Sequence, residues 1–146
     1  MAEVPKCADL ARRAVACPRW RWMPGMLAWW RLDPEDESMA LRLHGWLDDY
    51  PTDPDDDEPI YPGHLNAAHD TGAFGFPRDA GIVPDLTDPA TLGCLLAVVR
   101  DAWGDPLLRV EGFPDGSRVV SHRLTRIVGL GPTEAAALVA ALESAP

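Results

Sequence analysis

Between Asp48 and Pro84 the chain is rich in Pro, Asp, Gly and His, and its apolar residues recur at neither helical nor strand spacing. This pattern predicts a long irregular excursion with at most one short strand, at 73–76. The regular elements therefore have to come from the blocks on either side. Because 146 residues is the usual size of one domain, we expect a single domain over 1–146, with an acidic, Pro-rich excursion at about 48–84.

The block before the excursion predicts one helix and three strands. A short amphipathic helix is expected over 6–16. It is followed over 20–30 by a strand, turn and strand, in which Pro24-Gly25 supplies the turn. A third strand is expected over 40–47, where apolar and polar residues alternate.

The block after the excursion opens with the best-defined element of the chain. A helix is predicted to begin at Pro89, behind the capping carboxylate of Asp88, and to end near Trp103 with Gly104 as its C-terminal cap. Its apolar stripe has the spacing i, i+3, i+4 and i+7 and consists of Leu92, Leu95, Leu96 and Val99.

A β-hairpin and a terminal helix complete the predicted pattern. Two β-prone runs, 107–113 and 118–124, flank a Pro-Asp-Gly-Ser turn. An alanine-rich helix then begins after Pro132. The resulting order is α-β-β-β-loop-α-β-β-α, which predicts an α+β fold with an antiparallel sheet packed between helices.

Charge is distributed very unevenly along the chain. The formal net charge is −10, yet residues 1–31 carry a local balance of +4 and residues 32–58 a local balance of −10. Binding to a phosphate backbone depends on clustered Lys and Arg, so this composition argues against direct nucleic-acid binding as the main activity. The acidic run predicts either a solvated loop or a surface for a basic partner.

The cysteines and the hydropathy pattern indicate the compartment. Three cysteines form an odd set with no C-x-x-C pair, and the start of the chain lacks a secretion signal. No apolar run approaches the roughly 18 to 20 residues of a membrane-spanning helix. We therefore expect a cytoplasmic protein with no membrane partner.

Signatures of catalysis are weak in this sequence. Neither a phosphate-binding glycine loop nor a G-x-S-x-G nucleophile motif occurs, so we expect no cofactor and no catalytic residue. The weak candidates for a metal site are His64, His69 and Asp70. Their spacing in a predicted loop favours solvated side chains, and a metal-dependent hydrolase is the third hypothesis.

A Trp/Arg-rich segment supplies a second hypothesis. Aromatic and cationic side chains can stack on bases or nucleotides, although alternating tryptophans more often pack a sheet against helices. A small-molecule or nucleotide-binding protein, such as a sponge for a signalling nucleotide, would use Arg19, Trp20, Arg21, Trp22, Trp29 and Trp30.

Several segments resemble small uncharacterised proteins encoded by bacterial phages and prophages. Residues 10–17 and 20–26 resemble the start of those proteins, 85–96 resembles their central helix, and 131–138 resembles their terminal helix. The layout is similar to the phage ABA sandwich domain, in which a sheet lies between helices. The resemblance implies that fold and a viral or prophage origin, and it assigns no catalytic residue.

These observations favour a non-enzymatic phage or prophage accessory protein that binds a host protein. We expect an inhibitor of bacterial defence, of the anti-CRISPR kind, that mimics the charge of nucleic acid and lies in the host cytoplasm. Aromatic residues near the acidic run would anchor the interface. The predicted contact residues are Trp46, Asp48, Asp49, Tyr50, Asp53, Asp55, Asp56, Asp57, Glu58 and Tyr61. An exposed sheet edge or tryptophan would also favour a homodimer.

Overall fold

The computed structural model describes residues 7–30, 39–43, 81–123 and 125–146. Within them the chain forms three helices and two three-stranded antiparallel sheets, with strand orders β2-β1-β3 and β4-β5-β6. The predicted α+β class is confirmed. The elements are α1 (Ala8–Ala16), β1 (Leu27–Trp30), β2 (Met39–Arg42), β3 (Val83–Pro84), α2 (Pro89–Trp103), β4 (Arg109–Gly112), β5 (Arg118–His122), β6 (Arg126–Gly131) and α3 (Glu134–Glu143).

The strand predicted at 20–22 does not form, and the predicted single sheet is replaced by two. Residues 20–22 pair with no strand in the part of the chain that the structure describes, although Trp20 and Trp22 are both buried, as alternate positions of a strand would be. Pro24-Gly25 forms the predicted turn, with Gly25 at φ 98° and the Met26 amide donating to the Met23 carbonyl. The chain then enters β1 directly.

Helix α2 begins and ends as predicted. The carboxylate of Asp88 accepts from the Thr91 amide at 2.9 Å, and Gly104 closes the helix in the left-handed conformation at φ 60°. The buried Thr91 hydroxyl accepts from the Leu27 amide at 2.8 Å and donates to Asp88 at 2.8 Å. Arg42 adds a two-pronged ion pair to Asp88, so the first turn of α2 holds β1 and β2 in place.

The second sheet contains the predicted hairpin, β4 and β5, and a third strand that was not predicted. Two glycines weaken the strand signal of β6, because glycine is depleted in strands. Those glycines are required by close packing: a Cβ on Gly129 would lie 2.2 Å from the Ala137 carbonyl oxygen, and one on Gly131 would lie 2.8 Å from the Ala137 nitrogen. The alanine-rich face of α3 therefore lies directly on β6.

The two ends of the described chain meet around α3. Arg13 of α1 forms an ion pair with Glu143, and Arg19 donates two hydrogen bonds to the Pro146 carbonyl, at 2.7 and 3.0 Å. Trp103 at the end of α2 donates to the Ala141 carbonyl at 2.9 Å. One continuous core of buried side chains links all three helices with both sheets. No helix in the described ranges is both long and apolar enough to cross a bilayer.

Candidate functional site

The predicted partner-binding and metal-binding residues lie outside the described residues. This holds for the acidic and aromatic positions between 46 and 61, and for His64, His69 and Asp70. Within the part of the chain that the structure describes, no three His, Cys, Asp or Glu side chains are grouped so that they could hold a metal ion. The candidate sites that the structure does describe are therefore formed by other side chains.

The two central tryptophans of the Trp/Arg-rich segment lie in the core. Trp20 is 8% and Trp22 is 7% exposed, and their rings meet edge to face with centroids 5.3 Å apart. Trp29 is half-buried and its indole N–H donates to the Asp85 carboxylate at 3.2 Å. Trp30 forms the last position of β1. The burial of Trp20 and Trp22 leaves little of either ring open to a stacking ligand.

The arginines of the same segment lie at the surface and have local partners. Arg19 is engaged by the Pro146 carbonyl, and Arg21 lies 3.5 Å from the carboxylate of Asp101 on α2. Arg21 is also the one predicted ligand-binding residue that lines the cleft at the C-terminal end of α2. The structure thus separates the cationic members of the segment from its aromatic members.

That cleft has a volume of about 370 Å³ and is open to solvent. It contains two guanidinium groups, because Arg100 faces it as well as Arg21. The Nε of Arg100 donates to the Leu108 carbonyl at 2.8 Å, which fixes the plane of its guanidinium group. The remaining lining residues are Ala97, Asp101, Gly104, Asp105 and Pro106.

Asp105 connects this cleft to the only histidine among the described residues. Its carboxylate accepts from the amides of Leu107 and Arg123, at 3.0 and 2.8 Å, and lies 3.1 Å from Nδ1 of His122. The Arg123 hydrogen bond is the largest of the effects that lower the pKa of Asp105 below its usual range. An ionised Asp105 can only accept, so Nδ1 of His122 carries the proton of this hydrogen bond.

The His122 ring also packs against an aromatic side chain. It lies against the indole of Trp103, with centroids 5.1 Å apart, and the guanidinium of Arg126 lies 5.7 Å from the same indole. The His122 side chain is 12% exposed. Ser121 precedes His122 on β5 and projects from the opposite face of the strand, so its hydroxyl does not form a pair with His122. The described residues therefore show an oriented imidazole without an adjacent nucleophile.

The charge of the described residues differs sharply from that of the rest of the chain. The described part carries ten arginines, at 12, 13, 19, 21, 42, 100, 109, 118, 123 and 126. It carries nine carboxylate side chains, at 9, 85, 88, 101, 105, 111, 115, 134 and 143. The remaining residues hold fourteen carboxylate side chains against three cations, Lys6, Arg31 and Arg78. The described residues are close to neutral, and most of the acidity belongs to the remaining positions of the sequence.

Comparison of the chain with family models, with curated proteins and with solved structures found no match.

Proposed function

We propose that this chain is a non-enzymatic binding protein whose acidic segments contact a basic surface on a host protein. The observation that carries the proposal is the separation of charge. Residues 32–58 carry a local balance of −10, equal to the net charge of the whole chain, whereas the described residues together carry +1. A general need for solubility would be met by acidic residues spread over all surfaces. Carboxylates concentrated in one stretch of sequence can instead form a patch that attracts and recognises an oppositely charged partner.

The basic partner with the closest chemical match is a nucleic-acid-binding protein. Grooves that hold DNA or RNA are lined with Lys and Arg, and a dense run of carboxylates offers them the same charge as a phosphate backbone. Together with the resemblance to small phage proteins, this supports an accessory protein of phage or prophage origin that inhibits a bacterial defence protein in the host cytoplasm. Trp46 and Tyr61 flank the acidic run in sequence, Tyr50 lies within it, and these three side chains would supply the apolar part of the contact.

The test is affinity capture from lysate of the bacterial host at low and high salt, followed by mass spectrometry. We expect a stoichiometric nucleic-acid-binding protein that is released by high salt and by added DNA. Reversing three charges, with Asp55, Asp56 and Asp57 each changed to Lys, is expected to abolish this capture.

The matched control reverses three carboxylates of the described surface, with Asp9, Asp101 and Glu134 each changed to Lys. These side chains are exposed, and the change in net charge is the same. Capture should survive in the control. Equal loss in both variants would reduce the effect to net charge, and retention in the Asp55, Asp56 and Asp57 variant would refute the acidic-segment mechanism.

A small-molecule binding protein is the second candidate, and the cleft beside α2 favours it. Arg21 and Arg100 place two guanidinium groups at a cavity whose volume is within the range of ligand pockets. Arg21 is the residue of the Trp/Arg-rich segment that takes part in this candidate site. Nucleotides should then raise the melting temperature of the wild-type protein and leave that of an Arg21→Ala, Arg100→Ala variant unchanged; no shift in the wild type would exclude this function.

A further inference from the structure

All four exposed large hydrophobic side chains of the described residues come from the second sheet and its immediate flanks. Ile127 and Leu130 lie on β6, and they are 61% and 63% exposed. Leu107 precedes β4 and is 69% exposed, and Phe113 follows β4 and is 44% exposed. Single exposed apolar residues are ordinary, but four within one small sheet unit indicate an interaction surface.

The strand register places six of the sheet residues on the face that points away from α3. Residues directly opposite in an antiparallel pair project to the same side, and α3 lies on the side of Gly129 and Gly131. Two rows cross the other side: Arg109, Ser121 and Ile127 form the first row, and Glu111, Val119 and Leu130 form the second. We call these six residues the outer face.

The centre of the outer face is distinct from the main core. Its two central residues, Val119 and Ser121, are only 3% and 8% exposed, so the exposed apolar area of the face comes from Ile127 and Leu130; Val119 is not part of the continuous core that contains its neighbour Val120. It therefore forms the base of a separate apolar strip between Ile127 and Leu130 on one side and β4 on the other. On β4 the guanidinium of Arg109 and the carboxylate of Glu111 form an ion pair at 2.6 Å.

The charge of the outer face argues for a second copy of this chain as its occupant. The face carries one cation and one anion, so it is neutral in a chain whose net charge is −10. A basic partner suited to the acidic segments would bring further cations against Arg109. A second copy meets no such conflict, because its own outer face is neutral and has the same apolar strip.

A two-fold axis makes the two rows complementary. If the axis lies in the interface and crosses the strands at the level of Val110 and Val120, the first row of one copy faces the second row of the other. Arg109 then meets Glu111 of the partner subunit, and Ile127 meets Leu130 of the partner subunit. Both contacts occur twice. We propose that the protein forms a homodimer in which the two outer faces pack against each other.

The edge of β6 is a poorer route to the same dimer. The register between β5 and β6 shifts at Val120 and Ser121, which is a bulge-like irregularity, and such irregularities bend a strand and hinder pairing at its edge. The proposed contact therefore joins faces rather than edges.

The size of the face sets the expected affinity. Three strands about 4.8 Å apart give a face about 10 Å wide, and strands of 4 to 6 residues make it at most about 20 Å long, so its area of about 200 Å² is well below the roughly 800 Å² per partner of a stable interface. We therefore expect a weak dimer with a dissociation constant of about 1–100 µM. Leu107 and Phe113 are further exposed apolar side chains just beyond the two ends of β4.

Sedimentation velocity over a concentration series tests this dimer. The wild-type protein should pass from monomer to dimer within that range. A variant with Ile127→Gln and Leu130→Gln should weaken the dimer by at least about 10-fold, because it removes both apolar contacts without changing the charge. The control is Ala90→Gln, at an exposed position in the first turn of α2, which should leave the dimer unchanged.

A charge swap distinguishes a second copy of this chain from any other molecule that could bind the outer face. Arg109→Glu alone and Glu111→Arg alone should each weaken the dimer, since like charges then face each other across the axis. The double variant Arg109→Glu, Glu111→Arg should restore it, because the two charges exchange places in both copies. Melting curves of each variant verify that the fold is intact.

Three outcomes would overturn the inference. A wild-type protein that stays monomeric up to about 1 mM has no such dimer. A dimer that persists in the Ile127→Gln, Leu130→Gln variant uses another surface. A monomer that loses host-protein capture in that variant assigns the outer face to the host partner. The dimer does not depend on the proposed function, since its variants leave residues 55–57 unchanged.

Discussion

Replacing Gly129 with alanine tests the closest contact in the fold. The added Cβ would lie 2.2 Å from the Ala137 carbonyl oxygen and 2.9 Å from both the nitrogen and the Cβ of Ala141. Favourable contacts between heavy atoms occur at about 3.5–4.0 Å. Two of the three atoms belong to the backbone of α3, so no rotation of a side chain can relieve the overlap. Helix α3 and strand β6 have to move apart by about 1 Å.

The expected loss of stability follows from two opposing effects. Overpacking a tight contact costs about 1–3 kcal/mol, and contact with backbone atoms puts this position near the upper end of that range. The alanine also restricts the unfolded chain, which returns about 0.4–1 kcal/mol. The free energy of unfolding should therefore fall by about 2 kcal/mol. For a domain of this size the melting temperature should fall by about 6 °C.

Gly93→Ala is the matched control for this experiment. Gly93 lies in the interior of α2, it is exposed, and a Cβ added there meets no atom within 4 Å. Alanine favours an exposed helical position by about 0.8–1 kcal/mol over glycine. The same substitution should thus stabilise the protein at Gly93 and destabilise it at Gly129, as measured by denaturant unfolding of both variants. A Gly129→Ala variant as stable as the wild type would refute the close contact between α3 and β6.

The polar networks give two further predictions. The ion pair with Arg42 lowers the pKa of Asp88 to about 2 from 3.8, so its charge stabilises the fold above pH 3.8 and this contribution is lost as the pH falls through 2. Denaturant unfolding over a pH series should show that Asp88→Ala is about 1 kcal/mol less stable than the wild type at neutral pH. This difference in the free energy of unfolding should shrink in acid, and a difference that stays constant with pH would contradict the assigned ionisation. Asp105→Ala should lower the melting temperature more than His122→Gln does, because it leaves two amides unpaired, and the reverse order would contradict the assigned hydrogen bonds.

Local chemistry made α2 and the turn at Pro24-Gly25 predictable. The capping carboxylate of Asp88, the proline that follows it and the terminal Gly104 act within one turn of chain, and the structure uses all three as expected. The α+β class also follows from the order of periodic segments. The candidate site is different: its predicted acidic, aromatic and histidine residues lie outside the described residues, so the sequence remains their only source.

The structure reveals relations between residues far apart in the sequence. The pairing of Asp105 with His122 and the lining of one cleft by Arg21 and Arg100 follow from tertiary packing, and no motif marks them. The alternation at Trp20 and Trp22 predicts a strand, and both rings do lie in the core, but residues 20–22 form no strand. Alternation of apolar and polar residues shows that a segment could bury one face of a strand, but it does not show that a neighbouring strand is there to pair with it.

The sequence by itself determined the helix boundaries set by caps, the turn positions set by glycine and proline, and the concentration of carboxylates before residue 59. These properties depend on neighbours within a few positions, so they can be read locally. Only the tertiary structure decided that β6 is a strand, that its glycines accommodate α3, and that Ile127 and Leu130 share an exposed face. Those outcomes depend on how closely distant backbones approach, because a glycine signals flexibility in sequence and close contact only once its neighbour is in place.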